Sequence, residues 1–371
     1  MDERAEYSRA RRKRMGDFVR RNSTQVQIFV KSGNKFLSTV RSFISWSVQK
    51  GKLTQDKGRT YFKEILHVIL FYGQINNPII TPEEILTEKE IEQLSGKYRD
   101  VFRKYATHLP TRPPYTVLLD AIVEITETRN AEKVLTCLLN LTNEMDVTND
   151  EGRKCENIFV STVISCCYLD DSSANTNYFG ASVSCRGLKQ RQIMIDILCC
   201  HTWHKDIGWA VCVGKTYNKN AFGFPAGLCS MAFNIYSSAK ATIQEEIIKS
   251  AWNRLQRSLM TRSYEISKAL EQYGTLVPRE PCMKCFTMFP DIYFDPHSQH
   301  HGQGQWEYGN CAECESLSQL LYSNQQVVEQ LDRKTFQLTS EMLLKVKCDR
   351  LECNLRELGF RLLNEILYYY D

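Results

Sequence analysis

The fold of this sequence is decided by Pro-Cys-Met-Lys-Cys at residues 281–285 and by Gly-Asn-Cys-Ala-Glu-Cys at residues 309–314. Each stretch contains two cysteines separated by two residues, and 25 residues lie between the two pairs. Two residues between thiolates allow one tight turn to present both sulfurs to a tetrahedral zinc ion. The spacing therefore predicts a zinc site.

Cys282, Cys285 and Cys311 are the zinc ligands that we expect first, and Cys314 is a fourth candidate ligand. If Cys314 binds as well, four thiolates close the tetrahedron and the site is structural. If Cys314 turns into the core, the fourth position stays open to water. The sequence leaves this choice open.

Other residues are alternative ligands. Cys348 and Cys353 could replace the first cysteine pair, although four residues separate them and no proline precedes them. The segment between the two motifs also contains three histidines, which we expect in a polar, exposed loop: His297, His300 and His301.

His201 and His204 are three residues apart and could share one face of a helix. They follow an apolar run at residues 193–198, which favours buried packing with both imidazoles hydrogen-bonded. We therefore do not expect them to bind a metal.

Asn310 and Glu313 also have a purely structural interpretation. Asn310 is a favourable N-cap, and Glu313 three residues later could complete a capping box. Cys311 would then lie in the first turn, where the helix dipole favours a thiolate. This cap alone can explain Glu313 without a catalytic role.

Together, the two motifs resemble the zinc motifs of cytidine deaminases and related nucleotide and nucleic-acid deaminases. In that superfamily a Cys/His-x-Glu motif opens one helix and Pro-Cys-x-x-Cys opens another. The resemblance covers about 35 of the 371 residues. It implies zinc held by Cys282, Cys285 and Cys311, with Glu313 moving a proton from a zinc-bound water to the leaving amine.

The order of the two motifs is reversed relative to that superfamily. Either the elements are permuted along the chain and still meet around one metal, or Cys311 pairs with the cysteines downstream. Two functions follow from the sequence. One is a zinc-dependent hydrolytic deaminase acting on a nucleobase, nucleotide or nucleic acid; the other is a non-catalytic, zinc-stabilised interaction or scaffold protein, for example in host defence, with a closed four-cysteine site.

The composition, with 43% hydrophobic and 24% charged residues, is typical of a soluble globular protein. The N-terminus lacks the apolar region of a secretory signal, and no apolar run approaches the roughly 20 residues of a membrane span. We therefore expect a cytoplasmic or nuclear protein without a membrane partner. Fifteen cysteines without a secretory signal argue against a disulfide framework.

A basic run, Arg-Ala-Arg-Arg-Lys-Arg, occupies residues 9–14. We expect residues 1–22 to form a disordered or loosely helical arm. Such an arm can bind phosphates or act as a nuclear address, which makes a nucleotide or single-stranded nucleic acid a candidate partner. The alternative is a solvated arm, and a protein partner is also open.

The predicted fold class is mixed α/β. Apolar residues at three- and four-residue steps predict a helical bundle over residues 23–150, and a polar stretch at residues 146–154 marks the boundary. Residues 151–371 are predicted to form a layered, zinc-containing, deaminase-like α/β domain. The elements predicted in it are strands at 158–168, 178–183, 209–213, 221–224, 231–236 and 275–277, a helix at 242–272, and helices within 311–370.

Overall fold

A computed structural model describes residues 3–148, 152, 154–155, 157–170, 176–185, 187–217, 223–235, 276–295, 307–333, 337–362 and 366–370. Side chains are described in these ranges except at residues 3–23, 154, 215–217, 276–278 and 337–340. The predicted helix at 242–272 and the three histidines between the cysteine motifs lie outside the described residues.

Helices form the N-terminal part of the chain, as the sequence predicts. Within residues 3–148 they are α1 Glu3–Gln49, α2 Gln55–Gln74, α3 Pro82–Ile85, α4 Glu88–Lys97, α5 Arg99–Lys104, α6 Pro114–Thr126 and α7 Ala131–Glu144. Side chains of Thr54, Thr87 and Asn130 accept hydrogen bonds from the first turns of α2, α4 and α7, which fixes where these helices begin. The arm predicted at residues 1–22 is helical from Glu3 onward, as part of α1.

The strands of the C-terminal part form one mixed sheet. The five strands are β3 Val163–Leu169, β4 Tyr178–Ala181, β5 Leu228–Ile235, β6 Leu276–Arg279 and β7 Tyr293–Asp295. One edge of β5 pairs antiparallel with β3, and its other edge pairs antiparallel with β6 and parallel with β7. The short strands β1 Val147–Thr148 and β2 Lys154–Cys155 make a separate antiparallel pair.

Further helices pack around this sheet. They are α8 Leu188–Ile197, which continues as a π-helical turn at Leu198–Thr202, then α9 Lys205–Tyr217, α10 Met283–Met288, α11 Ala312–Ser323, α12 Gln325–Glu329 and α13 Gln337–Glu357. The predicted strands near 158–168, 178–183, 231–236 and 275–277 are confirmed with shifted ends. Gly223, in the strand predicted at 221–224, makes only an isolated bridge to Asp332.

The strand predicted at residues 209–213 is wrong, because these residues lie in α9. All five of them are buried. A helix that is buried on every side presents the same unbroken apolar run as a buried strand, so periodicity could not separate the two.

One hydrophobic core continues across the boundary predicted at residues 146–154. The Phe159 ring packs edge-on against Phe29, with ring centroids 5.1 Å apart, and stacks on Tyr72 at 6.0 Å. The chain's last residues return to the same helices, since the Tyr369 amide donates to the Leu109 carbonyl. The boundary marks a change from helices to strands within a shared core.

Residues 312–318 of helix α11 are all buried, and the helix packs on β3 and β4. Gly180 of β4 permits this contact, because a Cβ there would overlap the backbone nitrogen of Ser316 and the carbonyl oxygen of Ala312. The Ser165 hydroxyl of β3 donates to the Ser316 hydroxyl at 2.7 Å. Sheet and helix backbone are therefore in direct contact.

We predict that Gly180→Ala destabilises the protein by about 1–3 kcal/mol, the usual cost of overpacking. Gly96→Ala is the matched control: a Cβ there meets nothing within 4 Å, and alanine favours the α4 helix by about 0.5–1 kcal/mol. Urea unfolding measures both changes. Unchanged stability in Gly180→Ala would contradict the close approach of α11 to β4.

His67 on α2 is buried beside the returning C-terminus. Its ring stacks on Tyr369 with a centroid distance of 3.9 Å. Burial lowers the pKa of His67 to about 3, against about 6.5 for an exposed imidazole. The unfolded chain therefore binds a proton at mildly acidic pH that the folded protein cannot accept. The contribution of neutral His67 to the unfolding free energy is fully present above about pH 6.5 and is lost as the pH falls toward 3.

From this shift we predict that lowering the pH from 6.5 to 5 removes about 2 kcal/mol of unfolding free energy through His67 alone. His67→Gln removes the titrating group. Over the same pH range the variant should therefore lose about 2 kcal/mol less unfolding free energy than the wild type. Denaturant unfolding at pH 7, 6 and 5 measures the difference. The same pH dependence in variant and wild type would exclude a buried neutral imidazole.

Candidate metal centre

Two helix N-termini bring the cysteine motifs together. Cys282 is the N-cap of α10 and Cys311 is the N-cap of α11, and neither side chain caps its own helix. Cys285 lies in the first turn of α10, so all three thiols are near helix N-termini, where thiolates are favoured. Gly309, with φ of +88°, takes the left-handed conformation that turns the chain toward Cys311.

The three sulfurs lie at distances suited to a shared metal ion. The Sγ atom of Cys282 is 3.6 Å from that of Cys285 and 3.4 Å from that of Cys311, and all three lie within 4.8 Å of one another. Sulfurs bound to a tetrahedral zinc at about 2.3 Å would be about 3.8 Å apart. The thiols are free. This cysteine triad could therefore hold a metal ion, and its spacing is compatible with zinc.

Cys314 does not join the triad. Its side chain is fully buried within the hydrophobic core. Among the described residues, the side chains close enough to share a metal are Cys282, Cys285 and Cys311, and this group does not include Cys314. The two motifs thus contribute three sulfurs, with the fourth turned into the core.

The downstream cysteines do not replace the first motif. Cys348 lies beside Cys200, and Cys353 is exposed beside Glu357. Within the described residues, no second group of three cysteine, histidine or acidic side chains is close enough to share a metal. Cys282, Cys285 and Cys311 thus meet in space although the order of their motifs along the chain is reversed.

The predicted histidines also lie apart from the triad. His201 is exposed and stacks on Tyr368, with centroids 3.6 Å apart, so its predicted burial is wrong. His204 is largely buried, and its Nδ1 lies 3.3 Å from the Asp206 carboxylate.

Hydrogen bonds among the triad shift the pKa values of the three thiols in opposite directions. Bonds with Cys285 and Cys311 lower the pKa of Cys282, whereas the bond with Cys282 raises the pKa of Cys285 and of Cys311. Three neighbouring thiolates repel one another, and a bound cation would offset that repulsion. Metal binding should therefore release protons and strengthen as pH rises.

Glu313 is buried close to the triad and does not form the predicted capping box. Helix α11 begins at Ala312, so Glu313 is the second helical residue rather than the third. The Asn310 side chain lies outside the helix, and its Oδ1 is buried without a hydrogen-bond partner among the described residues. The cap cannot explain Glu313 here.

The environment of Glu313 suits proton transfer near neutral pH. Burial raises its pKa to about 7, against the opposing hydrogen bond from its own backbone. The charge of Cys282 raises this pKa further, and the charge of Arg279 lowers it. A buried carboxyl with a pKa near the working pH can both accept and return a proton.

Positive groups next to the ligands were not singled out from the sequence. Arg279 Nη1 donates to Asn234 Oδ1 at 3.2 Å, and Lys284 Nζ lies 5.3 Å from the centroid of the Tyr308 ring. In the sequence, Arg279 lies three residues before Cys282, and Lys284 immediately precedes Cys285. This proximity to the cysteines could have pointed to both residues. One cation therefore lies just before the first motif and the other lies within it.

No family model, curated protein or solved structure matches this chain. No helix among the described residues is long and apolar enough to cross a membrane. What the site binds must be inferred from its own residues.

For the triad, we predict that Cys282→Ser, Cys285→Ser and Cys311→Ser each lose bound metal and become less stable, because metal-binding free energy is partly folding free energy. Cys314→Ala is the matched control and should keep stoichiometric metal. Elemental analysis measures the content, and X-ray absorption should find three sulfurs and one lighter atom around zinc. Four sulfurs, or metal lost from Cys314→Ala, would contradict this assignment.

Proposed function

We propose that this protein is a zinc-dependent hydrolytic deaminase acting on a nucleobase, nucleotide or nucleic acid. The observation that carries the proposal is the meeting of three cysteines next to buried Glu313, with Cys314 turned into the core. Three protein ligands leave the fourth tetrahedral position to water, which is the arrangement of catalytic zinc sites.

In this proposal Cys282, Cys285 and Cys311 hold zinc. Bound zinc would lower the pKa of a coordinated water toward about 7. Glu313 would take one proton from the attacking water and give it to the ring nitrogen, while the water oxygen bonds to the carbon that carries the amino group. It would then carry the remaining hydroxyl proton to the amine, so that the bond between carbon and the amine breaks, the carbon becomes a carbonyl and ammonia leaves.

Two cations beside the triad offer contacts to an anionic substrate, although the exposed carboxylate of Glu280 lies next to Arg279 along the chain. Arg279 and Lys284 flank Cys282 along the chain, and neither side chain is fully buried. Cations next to the site would attract the phosphate of a nucleotide or a nucleic acid more strongly than they would a neutral nucleoside. The basic run at residues 9–14 is consistent with the same preference.

The alternative, a non-catalytic scaffold with a closed site, needs a fourth thiolate. Cys314 is its candidate, and this cysteine is not among the described side chains that lie close enough together to share a metal, which gives the alternative no support. A buried carboxyl beside the triad also has no role in such a site. The deaminase is therefore the function that the residues favour.

A test of the proposal is Glu313→Gln, which should keep the fold and the metal but lower deamination at least 10²-fold, the usual contribution of a positioned acid–base group. The assay is ammonia release from cytidine, deoxycytidine, adenosine, their nucleotides and single-stranded nucleic acid. The Trp203 indole nitrogen donates to the Glu315 carboxylate. Glu315→Gln is therefore the matched control on the same helix and should retain activity within a few-fold, since glutamine can still accept that hydrogen bond.

Two results would contradict the proposal. One is a zinc-loaded wild type that releases no ammonia from any of these substrates. The other is an active protein in which Glu313→Gln has no effect. Metal content measured on each variant separates loss of chemistry from loss of the site.

A further inference from the structure

A second pair of cysteines lies in contact away from the triad. Cys200 belongs to the π-helical turn after α8, and Cys348 belongs to α13, 148 residues later. Their sulfurs are 2.7 Å apart and share a hydrogen bond. Both thiols are free and only partly buried, so a small oxidant can reach them.

A buried ion-pair cluster holds α13 against α8 next to this pair. The Asp196 carboxylate of α8 is fully buried and accepts a hydrogen bond from Arg350 Nε at 2.9 Å. Lys347 Nζ lies 3.5 Å from the same carboxylate. Because Cys348 lies between these two cations in sequence, the cluster fixes the position of Cys348 facing Cys200.

The π-helical turn sets the position of the other sulfur. The Trp203 amide donates to the Leu198 carbonyl, a bond that spans five residues instead of four. Such a turn widens the helix by one residue and is frequent at functional sites.

We propose that Cys200 and Cys348 form a reversible disulfide that links α13 to the π-helical turn when the protein meets a disulfide oxidant such as glutathione disulfide. The linkage is independent of metal binding and of the proposed deaminase activity.

The chemistry balances through thiol–disulfide exchange. The Cys348 thiolate attacks one sulfur of glutathione disulfide, which forms a mixed disulfide and releases one glutathione thiolate. The Cys200 thiolate then attacks the Cys348 sulfur and releases the second glutathione. The two protein thiols lose two electrons and two protons, and these reduce one glutathione disulfide to two glutathione thiols. The hydrogen bond with Cys200 lowers the pKa of Cys348, which agrees with Cys348 as the first nucleophile.

The linkage would also restrain the surroundings of α11. Trp203 follows the π-helical turn directly, and its indole nitrogen donates to the Glu315 carboxylate of α11 at 2.5 Å. Cross-linking the turn to α13 closes a loop that contains both cysteine motifs. We therefore expect the oxidised protein to resist unfolding more than the reduced one.

The experiment incubates the full-length, zinc-loaded protein in glutathione buffers of increasing oxidised fraction, followed by alkylation and peptide mapping. A peptide linked through Cys200 and Cys348 should appear in the wild type and disappear on reduction. It should be absent from Cys200→Ser and Cys348→Ser, and present in Cys353→Ser, the matched control for an exposed cysteine on α13. The melting temperature should rise on oxidation in the wild type and in Cys353→Ser.

The wild-type map decides the outcome even if a variant folds poorly. Full alkylation of both cysteines in the most oxidising buffer would overturn the proposal. So would a mixed glutathione disulfide that never resolves, or a linkage of either cysteine to a different residue.

Discussion

Residues 312–318, the first two turns of helix α11, are buried around the whole circumference although they carry two carboxylates and two hydroxyls. Such groups cost free energy when buried unless they are hydrogen-bonded. Trp203 donates to Glu315, Ser165 donates to Ser316, and the His204 amide donates to the Ser318 hydroxyl at 2.8 Å. These bonds come from different sides of the helix and fix its rotation. The direction of Glu313 and the position of Cys311 depend on that rotation, and so does the metal centre.

The sequence predicted the clustering of the cysteines well where their geometry is local. Two residues between Cys282 and Cys285 bring both sulfurs to one turn, whatever the rest of the fold does. The role of Cys314 was undecided because it depends on where α11 begins. Cys311 is an N-cap with extended dihedrals rather than a helical residue, so its side chain leaves the helix in a different direction from that of Cys314. The predicted capping box was wrong for the same reason, since the N-cap is Cys311 and not Asn310. The first residue of a helix is difficult to predict to within one position.

Long-range features were harder to predict. The order of the motifs suggested a conflict with the deaminase pattern, but a metal site depends on where strands and helices meet in space rather than on their order along the chain. Here β6 leads into α10, and α11 returns across β3 and β4 from the other motif. Likewise the polar stretch at 146–154 stays a predicted boundary, whereas the contacts of Phe159 with Phe29 and Tyr72, which lie before it, come from the fold. Neither contact has a signature in local composition.

The cost of burying polar groups around the triad favours a reactive site over a structural one. A site that only stabilises the fold gains from apolar or fully paired neighbours, because each unpaired buried polar group costs about 1–3 kcal/mol. Next to Cys311, however, the chain buries Glu313, whose pKa is raised, and Asn310, whose Oδ1 has no hydrogen-bond partner among the described residues. Buried groups of this kind are characteristic of sites where a ligand supplies the missing partner. Under the proposed function, the attacking water would give Glu313 a proton to move. The burial of Glu313 would then be a cost to the free protein and an advantage to the reaction.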